Sequence, residues 1–197
     1  MKALEEKIQA EGIVKAGDIL KVDHFLNHQI DTAFLDEIGK EFQRLFHQHH
    51  ITKILTIEAS GIAIALATAR YFDYIPVVFA KKAKTAQMSD DVYHTSIHSY
   101  THQTTSDVVV AKQYLSCEDH VFIVDDFLAN GCAVFGLIDL VCQAHAKVEG
   151  IGIVIEKGHQ AGGQKLRDQG YHLESLAIID SMNACTGEII FRKQKEG

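Results

Sequence analysis

Apolar and polar positions along the chain follow two periods, one typical of helices and one typical of buried strands. Apolar side chains recur every three or four positions over residues 31–48, which predicts an amphipathic helix, and Asp31 can cap its first turn. Further helices are predicted at 62–71, 133–146 and 160–169. Continuous apolar runs predict buried strands, and these runs cover residues 53–57, 75–80, 121–124, 150–155 and 173–179.

The order of these elements predicts the fold class. Strands that alternate with helices indicate an α/β domain, with a central, mostly parallel sheet and right-handed crossovers. Residues 83–107 interrupt the alternation; they are polar and poorly periodic, with a hairpin expected through 94–101 and residues 108–111 as its other arm. A long insert of this kind often acts as a lid, although a surface hairpin without a role is the alternative.

Composition and charge restrict the class of protein. The 197 residues suit one α/β domain, residues 1–197, and the 47% hydrophobic and 23% charged content is ordinary for a globular protein. No apolar run reaches membrane-spanning length, and the acidic N-terminus is not a signal peptide. The four cysteines form no C-x-x-C pair, so we expect reduced thiols in a cytoplasmic protein. A net charge of −7 argues against a general nucleic-acid binder, and we expect neither nucleic acid nor a membrane as partner.

The most informative stretch is VFIVDDFLANGCA, residues 121–133. Asp125 and Asp126 follow an apolar run, where parallel sheets place ligands, and two carboxylates there can accept hydrogen bonds from vicinal hydroxyls. The next turn can point several backbone N–H groups at one anion, with a helix dipole behind it. Its residues are Ala129, Asn130, Gly131, Cys132 and Ala133. Hydroxyls beside a phosphate describe a ribose 5-phosphate; a plain strand, turn and core helix is the alternative, but buried paired acids need a partner.

Two other places carry candidate chemistry. Residues 56–63 form a second strand–turn–helix pattern, whose small residues Ala59, Ser60 and Gly61 let a ligand approach the backbone closely. Lys157 ends the predicted strand 150–155, where an ammonium group can reach a carbonyl oxygen, although a solvated charge is the alternative. The chain has neither a Walker A pattern nor G-x-G-x-x-G, which disfavours kinase, GTPase and dinucleotide-binding functions.

These stretches together resemble the purine phosphoribosyltransferases, which bind 5-phosphoribosyl 1-pyrophosphate (PRPP). The run LKVDHFLNHQID at 20–31 is similar to the base-binding portion of the xanthine phosphoribosyltransferases, and the resemblance extends through PVVFAKK at 76–82 and IGIVIEK at 151–157. It implies the type I phosphoribosyltransferase fold, with residues 1–35 as a hood over the base and residues 83–107 as a flexible lid hairpin. It also implies a homodimer and the synthesis of xanthosine 5′-monophosphate (XMP) from PRPP and xanthine in purine salvage.

The resemblance also implies roles for the candidate residues. Asp125 and Asp126 hold the ribose hydroxyls, directly or through a hydrated Mg²⁺ that arrives with PRPP and has no protein cage. Residues 129–133 hold the 5-phosphate, whereas the pyrophosphate is held by Ala59, Ser60, Gly61 and Lys81, with Lys82 beside it. The residues that contact the purine are Leu20, Asn27 and Lys157.

Three positions depart from the family pattern, and three other functions remain open. Cys132 stands where Gln or Glu is expected, Ala59 where Ser is expected, and Ile64 where Pro is expected. We expect these departures to affect substrate affinity more than reaction type. The alternatives are an adenine phosphoribosyltransferase, a hypoxanthine/guanine phosphoribosyltransferase and a non-catalytic PRPP-sensing regulator, although such regulators usually add a DNA-binding domain for which this chain has no room.

Overall fold

The N-terminal residues form a helix and a small hairpin that share a core with the main sheet. The computed structural model describes residues 1–83, 91–99 and 104–194. Helix α1 (Lys2–Glu11) leads into an antiparallel hairpin of β1 (Ile13–Lys15) and β2 (Ile19–Lys21), and a π-helical turn follows at Asp23–Asn27. The hydrophobic pattern predicted neither α1 nor the hairpin, because strands of three residues are too short to show a period.

An eight-stranded sheet forms the centre of the molecule. Its strands are β3 (Lys53–Ile57), β4 (Val77–Ala83), β5 (Val92–Ser99), β6 (Thr104–Ala111), β7 (His120–Leu128), β8 (Lys147–Lys157), β9 (Leu173–Met182) and β10 (Ile189–Phe191). They lie in the order β10-β9-β8-β7-β3-β4-β6-β5. The five central strands from β9 to β4 are parallel, whereas β10, β6 and β5 pair antiparallel at the two edges. The predicted mostly parallel sheet is therefore present.

Helices cover both faces of this sheet, which explains why its central strands are apolar throughout. The helices are α2 (Thr32–Phe46), α3 (Ser60–Ala69), α4 (Cys132–Gln143) and α5 (Gly162–Asp168). Successive residues of β7 point to opposite faces, so Phe122 packs with α2 and α3 whereas Ile123 packs with α4. Asp31 caps α2 as predicted, accepting a 3.1 Å hydrogen bond from the N–H of Phe34. No helix in the described part of the chain is long and apolar enough to span a membrane.

Several element boundaries differ from the predicted ones. Strand β7 continues through Asp125 and Asp126 to Leu128, because the hydrogen-bond ladder with β8 persists where the side chains become polar. For the same reason β8 is longer than the predicted strand 150–155 at both ends. Helix α4 begins at Cys132 and ends at Gln143, where 133–146 was predicted. The edge strand β10 was not predicted.

The predicted insert contains a hairpin that extends the sheet. Strands β5 and β6 pair antiparallel, from Val92 opposite Ala111 to Ser99 opposite Thr104, and β6 also pairs with β4. The hairpin packs on α4, where Gln143 bonds both the N–H and the C=O of His94. Residues 84–90 and 100–103 of the predicted lid lie outside the described residues.

Candidate active site

The two predicted strand–turn–helix elements meet at the carboxyl ends of β3 and β7. Gly61, in the first turn of α3, lies directly against the end of β3 and close to the acid pair. A Cβ atom on Gly61 would stand 2.0 Å from Oγ1 of Thr56 and 3.4 Å from Oδ1 of Asp125. The contact with Thr56 requires a glycine at this position, and the turn 59–61 lies within van der Waals reach of Asp125, so the structure brings these two groups of predicted site residues together.

The acid pair combines one buried carboxyl group with one that is half-buried. Asp125 is only 4% exposed, and its Oδ1 accepts a 3.0 Å hydrogen bond from the N–H of Asp126. Oδ1 of Asp126 accepts from the N–H of Phe127 at 2.9 Å. Burial raises the pKa of Asp125 well above its usual value, and the adjacent Asp126 charge raises it further, whereas the Lys82 charge opposes the rise. Donors that bind the ionised form of Asp125 would therefore gain strength from its burial.

The loop after β7 has the geometry expected of an anion site. Gly131 adopts φ +86°, in the left-handed region, and forms the N-cap of α4. A Cβ atom at this position would lie 2.9 Å from the ring of Phe135, so glycine is required for both conformation and space. The half-buried Cys132 and Ala133 form the first turn of α4, whose backbone N–H groups have no partner within the helix. An anion bound here would also interact favourably with the helix dipole.

The turn at the end of β3 is tied to β4 through Glu58. The N–H of Glu58 donates to the carbonyl oxygen of Ala80, and its Oε1 accepts a 2.7 Å hydrogen bond from the N–H of Lys82. The peptide bond between Glu58 and Ala59 is cis. The side chains of Lys81 and Lys82 point to opposite faces of β4, since successive residues of a strand alternate.

This alternation places the two lysines in different surroundings. The ammonium group of Lys81 lies 5.7 Å from the ring centroid of Phe79, on the same face of β4. Lys82 is the lysine whose charge acts on the buried Asp125. Within one chain, Lys82 is therefore better placed than Lys81 to neutralise a group bound at the acid pair.

The end of β8 is joined to the N-terminal hairpin. The ammonium group of Lys157 donates to the carbonyl oxygen of Asp18 and lies 3.5 Å from its carboxylate. His159 approaches the same carboxylate at 2.9 and 3.0 Å, and Gln160 donates to it as well. Burial alone would raise the pKa of Asp18, but the hydrogen bonds from His159 and Gln160 outweigh that effect and lower it. Lys157 thus meets the turn of the hairpin two residues before Leu20.

The other two predicted purine contacts lie in different settings. Leu20 is 7% exposed and belongs to the core shared with α1 and α2, so little of its side chain can be offered to a ligand without movement of the hairpin. Asn27 ends the π-helical turn and is exposed. The structure therefore places Lys157 beside the hairpin, leaves Asn27 accessible and buries Leu20.

A cavity of about 510 Å³ opens beside the loop 129–131, between α4 and the β5–β6 hairpin. Its lining residues come from three elements and are Thr95, Ser96, Ile97, Asn130, Cys132, Phe135, Gly136 and Lys165. Ile97 of the hairpin packs directly on α4, since a Cβ atom on Gly136 would stand 2.6 Å from its Cγ1. The predicted insert thus borders the candidate phosphate loop. Among the residues that the structure describes, no three His, Cys, Asp or Glu side chains are grouped to hold a metal ion.

Sequence reasoning missed several residues of the site. Asp18, His159 and Gln160 belong to no sequence motif. Asp18 lies 141 residues from His159 along the chain, so no local pattern indicated their contact. Gly162, at the start of α5, donates its N–H to the carbonyl oxygen of Ala129 at 3.0 Å. The one available signal was the glycine pair 162–163 just after β8, at the edge already chosen for the ligand.

Comparison with known proteins defines the family. Residues 27–181 match the model of the phosphoribosyl transferase domain. The chain is 59% identical over 195 residues to a xanthine phosphoribosyltransferase of Lachnoclostridium phytofermentans, covering 99% of this chain and 100% of that protein. It is 57% identical over 192 residues to one of Bifidobacterium longum, covering 98% and 100%. The chain therefore belongs to the phosphoribosyltransferase family, and the predicted family is confirmed.

Solved structures show the same fold at low identity. The adenine phosphoribosyltransferase of Giardia lamblia, complexed with 9-deazaadenine, matches with a TM-score of 0.73 and 22% identity, covering 89% of this chain and 96% of that chain. The enzyme of Thermoanaerobacter pseudethanolicus matches with a TM-score of 0.71 and 20% identity, covering 89% and 98%. The predicted type I phosphoribosyltransferase fold is therefore confirmed, whereas identities this low carry nothing about the base.

Proposed function

We propose that this protein transfers the 5-phosphoribosyl group of PRPP to xanthine, which yields XMP and pyrophosphate in purine salvage. The relatives that match over nearly the full length are xanthine phosphoribosyltransferases. The observation that carries the proposal is the approach of Gly61 to the buried Asp125, beside the loop that ends at Gly131. One edge of the sheet thus offers carboxylates that can accept hydrogen bonds from ribose hydroxyls. They lie between two turns that can bind the phosphate groups of PRPP.

The ribose and its two phosphate ends have separate binding elements. Asp125 and Asp126 accept hydrogen bonds from the ribose hydroxyls, and the N–H groups of residues 129–133 hold the 5-phosphate. The turn 59–61 holds the pyrophosphate through backbone N–H groups, and Lys82 supplies the positive charge there, with Lys81 on the opposite face of β4. Adjacent carboxylates fit Mg²⁺, which takes one or two such ligands and keeps several waters. When bound with PRPP, Mg²⁺ shields the negative charge of the phosphate oxygens.

The reaction needs no nucleophilic side chain. A purine nitrogen attacks C1 of the ribose while the bond to pyrophosphate breaks, through a transition state that resembles an oxocarbenium ion. The protein contributes by holding the base and C1 in line and by stabilising the leaving pyrophosphate with the turn 59–61 and Lys82. The β5–β6 hairpin borders the site and supports the role of residues 83–107 as a lid that excludes water.

The base lies between the N-terminal hood and the end of β8. Lys157 donates to the oxygen at position six of the purine, and Asn27 donates to the second oxygen of xanthine. Since Lys157 is held by Asp18 in the free protein, the base shares this ammonium group with the hood or displaces Asp18 from it. Leu20 supports the hood from its core side. The family also favours a homodimer in the cytoplasm.

The proposed activity is tested with a panel of xanthine, hypoxanthine, guanine and adenine. Each base is incubated with PRPP and Mg²⁺, and the nucleotide formed is quantified to give kcat/KM. We expect xanthine to give the highest value and adenine the lowest, because adenine presents an amino donor where Lys157 needs an acceptor. Adenine as the preferred substrate, or no nucleotide from any base, would refute the proposal.

A further inference from the structure

Helix α5 lies directly behind the loop that precedes α4. A Cβ atom on Gly162 would stand 2.4 Å from the carbonyl oxygen of Ala129, 2.7 Å from the nitrogen of Gly131 and 2.8 Å from the carbonyl carbon of Asn130. The N–H of Gly162 donates to that same oxygen of Ala129 at 3.0 Å. Two stretches of backbone are therefore in contact with no side chain between them, so any shift of α5 moves the loop.

The second glycine of the pair packs against an ion pair between the buried Glu156 and the half-buried Arg167. A Cβ atom on Gly163 would lie 2.0 Å from Oε1 of Glu156 and 2.7 Å from Nη1 of Arg167. Arg167 binds Glu156 with two hydrogen bonds of 2.8 Å, one to each carboxylate oxygen. Because Glu156 belongs to β8 and Arg167 to α5, this bidentate pair fixes both the distance and the orientation of α5 relative to the sheet.

The carboxylate of Glu156 is buried and fully hydrogen-bonded, so we expect it to act through these contacts and not through a long-range effect of its charge. Glu156 is 1% exposed, and the hydroxyl group of Ser175 on β9 donates to its Oε2. Burial would raise the pKa of Glu156, but the hydrogen bonds from Arg167 and Ser175 outweigh burial and lower it. The lowered pKa favours the ionised carboxylate, whose two hydrogen bonds from Arg167 hold α5 while the one from Ser175 fixes the carboxylate on the sheet.

We infer that Gly162, Gly163 and the Glu156–Arg167 pair are positioning residues that hold the phosphate-binding loop in its binding conformation. The N–H groups of a loop stabilise a phosphate only while they converge on one point, and a displacement of about 1 Å is enough to lower binding or rate by a large factor. Packing against Gly162 stops residues 129–131 from moving away from the ligand edge. The inference rests on the assignment of residues 129–133 to PRPP proposed above.

The test is Gly162→Ala, which places a methyl group against the carbonyl oxygen of Ala129. We expect KM for PRPP to rise about tenfold, with KM for xanthine at saturating PRPP within about twofold of wild type. The matched control is Gly150→Ala, whose Cβ would stand 2.3 Å from the ring of Phe46 at the opposite end of β8. It introduces similar crowding in the core, so it should lower Tm without changing KM for PRPP.

A second pair of variants separates positioning from simple stability. Arg167→Met should lower Tm and raise KM for PRPP, because it leaves the buried carboxylate of Glu156 unpaired. Arg167→Met combined with Glu156→Gln removes that unpaired charge, so Tm should recover in part, whereas KM for PRPP should stay raised because the bidentate contact is still lost. Arg167→Lys, which keeps the charge but loses the bidentate geometry, should also raise KM for PRPP.

Equal KM values for PRPP in wild type, Gly162→Ala and Arg167→Lys would overturn the inference, as would recovery of KM along with Tm in the double variant. If Gly162→Ala does not fold, Arg167→Lys is judged by the same criterion. Calorimetric titration with PRPP and Mg²⁺ distinguishes failure of this inference from failure of the proposed function. A wild-type protein that binds PRPP but makes no XMP would refute the xanthine assignment, whereas the affinities of the variants for PRPP would still test the loop.

Discussion

Asp125 illustrates at the scale of one residue how function opposes stability. The carboxyl group is buried next to Asp126, so its pKa is raised in the folded protein. The folded state therefore binds more protons than the unfolded state above the ordinary aspartate pKa of about 3.9, and stability falls as pH rises from there through the raised pKa. The penalty reaches its full size once the pH lies above the raised pKa. We expect ribose hydroxyls that donate to the ionised carboxylate to offset this penalty when PRPP binds.

Asp125→Asn should therefore raise Tm at pH 7 while it abolishes PRPP binding. An amide keeps the acceptor for the N–H of Asp126 but carries no charge, and relief of about 1 kcal/mol corresponds to about 2–4 °C for a chain of this size. The gain should shrink as pH falls towards 4, where the wild-type carboxyl becomes protonated. Calorimetry of unfolding and of PRPP binding measures both effects, with the exposed Asp73→Asn as control. A lower Tm at pH 7, or unchanged affinity for PRPP, would contradict this explanation.

Base choice also belongs to single residues. Lys157→Ala should lower kcat/KM for xanthine and hypoxanthine alike, by about 10- to 100-fold, because both present an oxygen at position six and a hydrogen bond to a charged donor is lost.

Asn27→Ala should lower kcat/KM more for xanthine than for hypoxanthine, since only xanthine has the second oxygen. Steady-state kinetics with both bases in both variants tests these two assignments. Equal factors for the two bases in Asn27→Ala would show that Asn27 does not read that oxygen.

At the residue scale, what could be predicted from the sequence depended on distance along the chain. The acid pair and the loop 129–133 lie within one strand–turn–helix stretch, so their order alone indicated their chemistry. The contacts of Asp18 with Lys157 and of Gly162 with Ala129 could not be predicted, because the partners are remote in sequence. The separation of Lys81 from Lys82 could be seen only once the faces of β4 were known.

At the scale of elements, the β5–β6 hairpin is the segment whose behaviour should change most on binding. It packs on α4 through Ile97 against Gly136 and through Gln143 against His94. It also borders the cavity beside the loop 129–131. A ligand that orders this loop therefore stabilises the surface on which the hairpin rests.

Hydrogen exchange tests this coupling. We expect amides of β5 and β6 to exchange about tenfold more slowly when PRPP, Mg²⁺ and a non-reactive purine analogue are bound. In the bound state the hairpin can open only by breaking contacts that the ligands stabilise. Helix α2, packed in the core on the other face of the sheet, serves as the internal reference. Equal exchange of the hairpin in both states would reduce it to an edge of the sheet without a role as lid.

The types of the central elements were predicted correctly, whereas their boundaries were predicted less well. Parallel strands buried on both faces have continuous apolar runs, which made β3, β7 and β8 recognisable. Their ends extend into polar residues because backbone pairing does not depend on the side chain, as at Asp125 and Asp126. Helix α1 and the hairpin of β1 and β2 contact the core through Leu4, Ile8 and Leu20, and two buried residues in α1 and strands of three residues are too few for a clear pattern.

At the scale of the whole molecule, one edge of the sheet brings together the residues that we propose for PRPP and the base. The ends of β3, β7 and β8 carry the proposed pyrophosphate turn, the acid pair with the proposed phosphate loop, and Lys157. The hood and α5 approach this edge from distant parts of the chain and hold Lys157 and the loop in place. In the proposed site, the order of strands, with β7 between β3 and β8, would put the ribose between pyrophosphate and base.

The most direct test is a crystal structure of the protein with XMP bound. We expect the phosphate oxygens within about 3.2 Å of backbone N–H groups of residues 130–133, and the ribose hydroxyls on Asp125 and Asp126. The oxygen at position six should accept from Lys157, whose contact with Asp18 is then shared or lost. XMP bound at any other place, or its phosphate bound away from the first turn of α4, would contradict the proposed site.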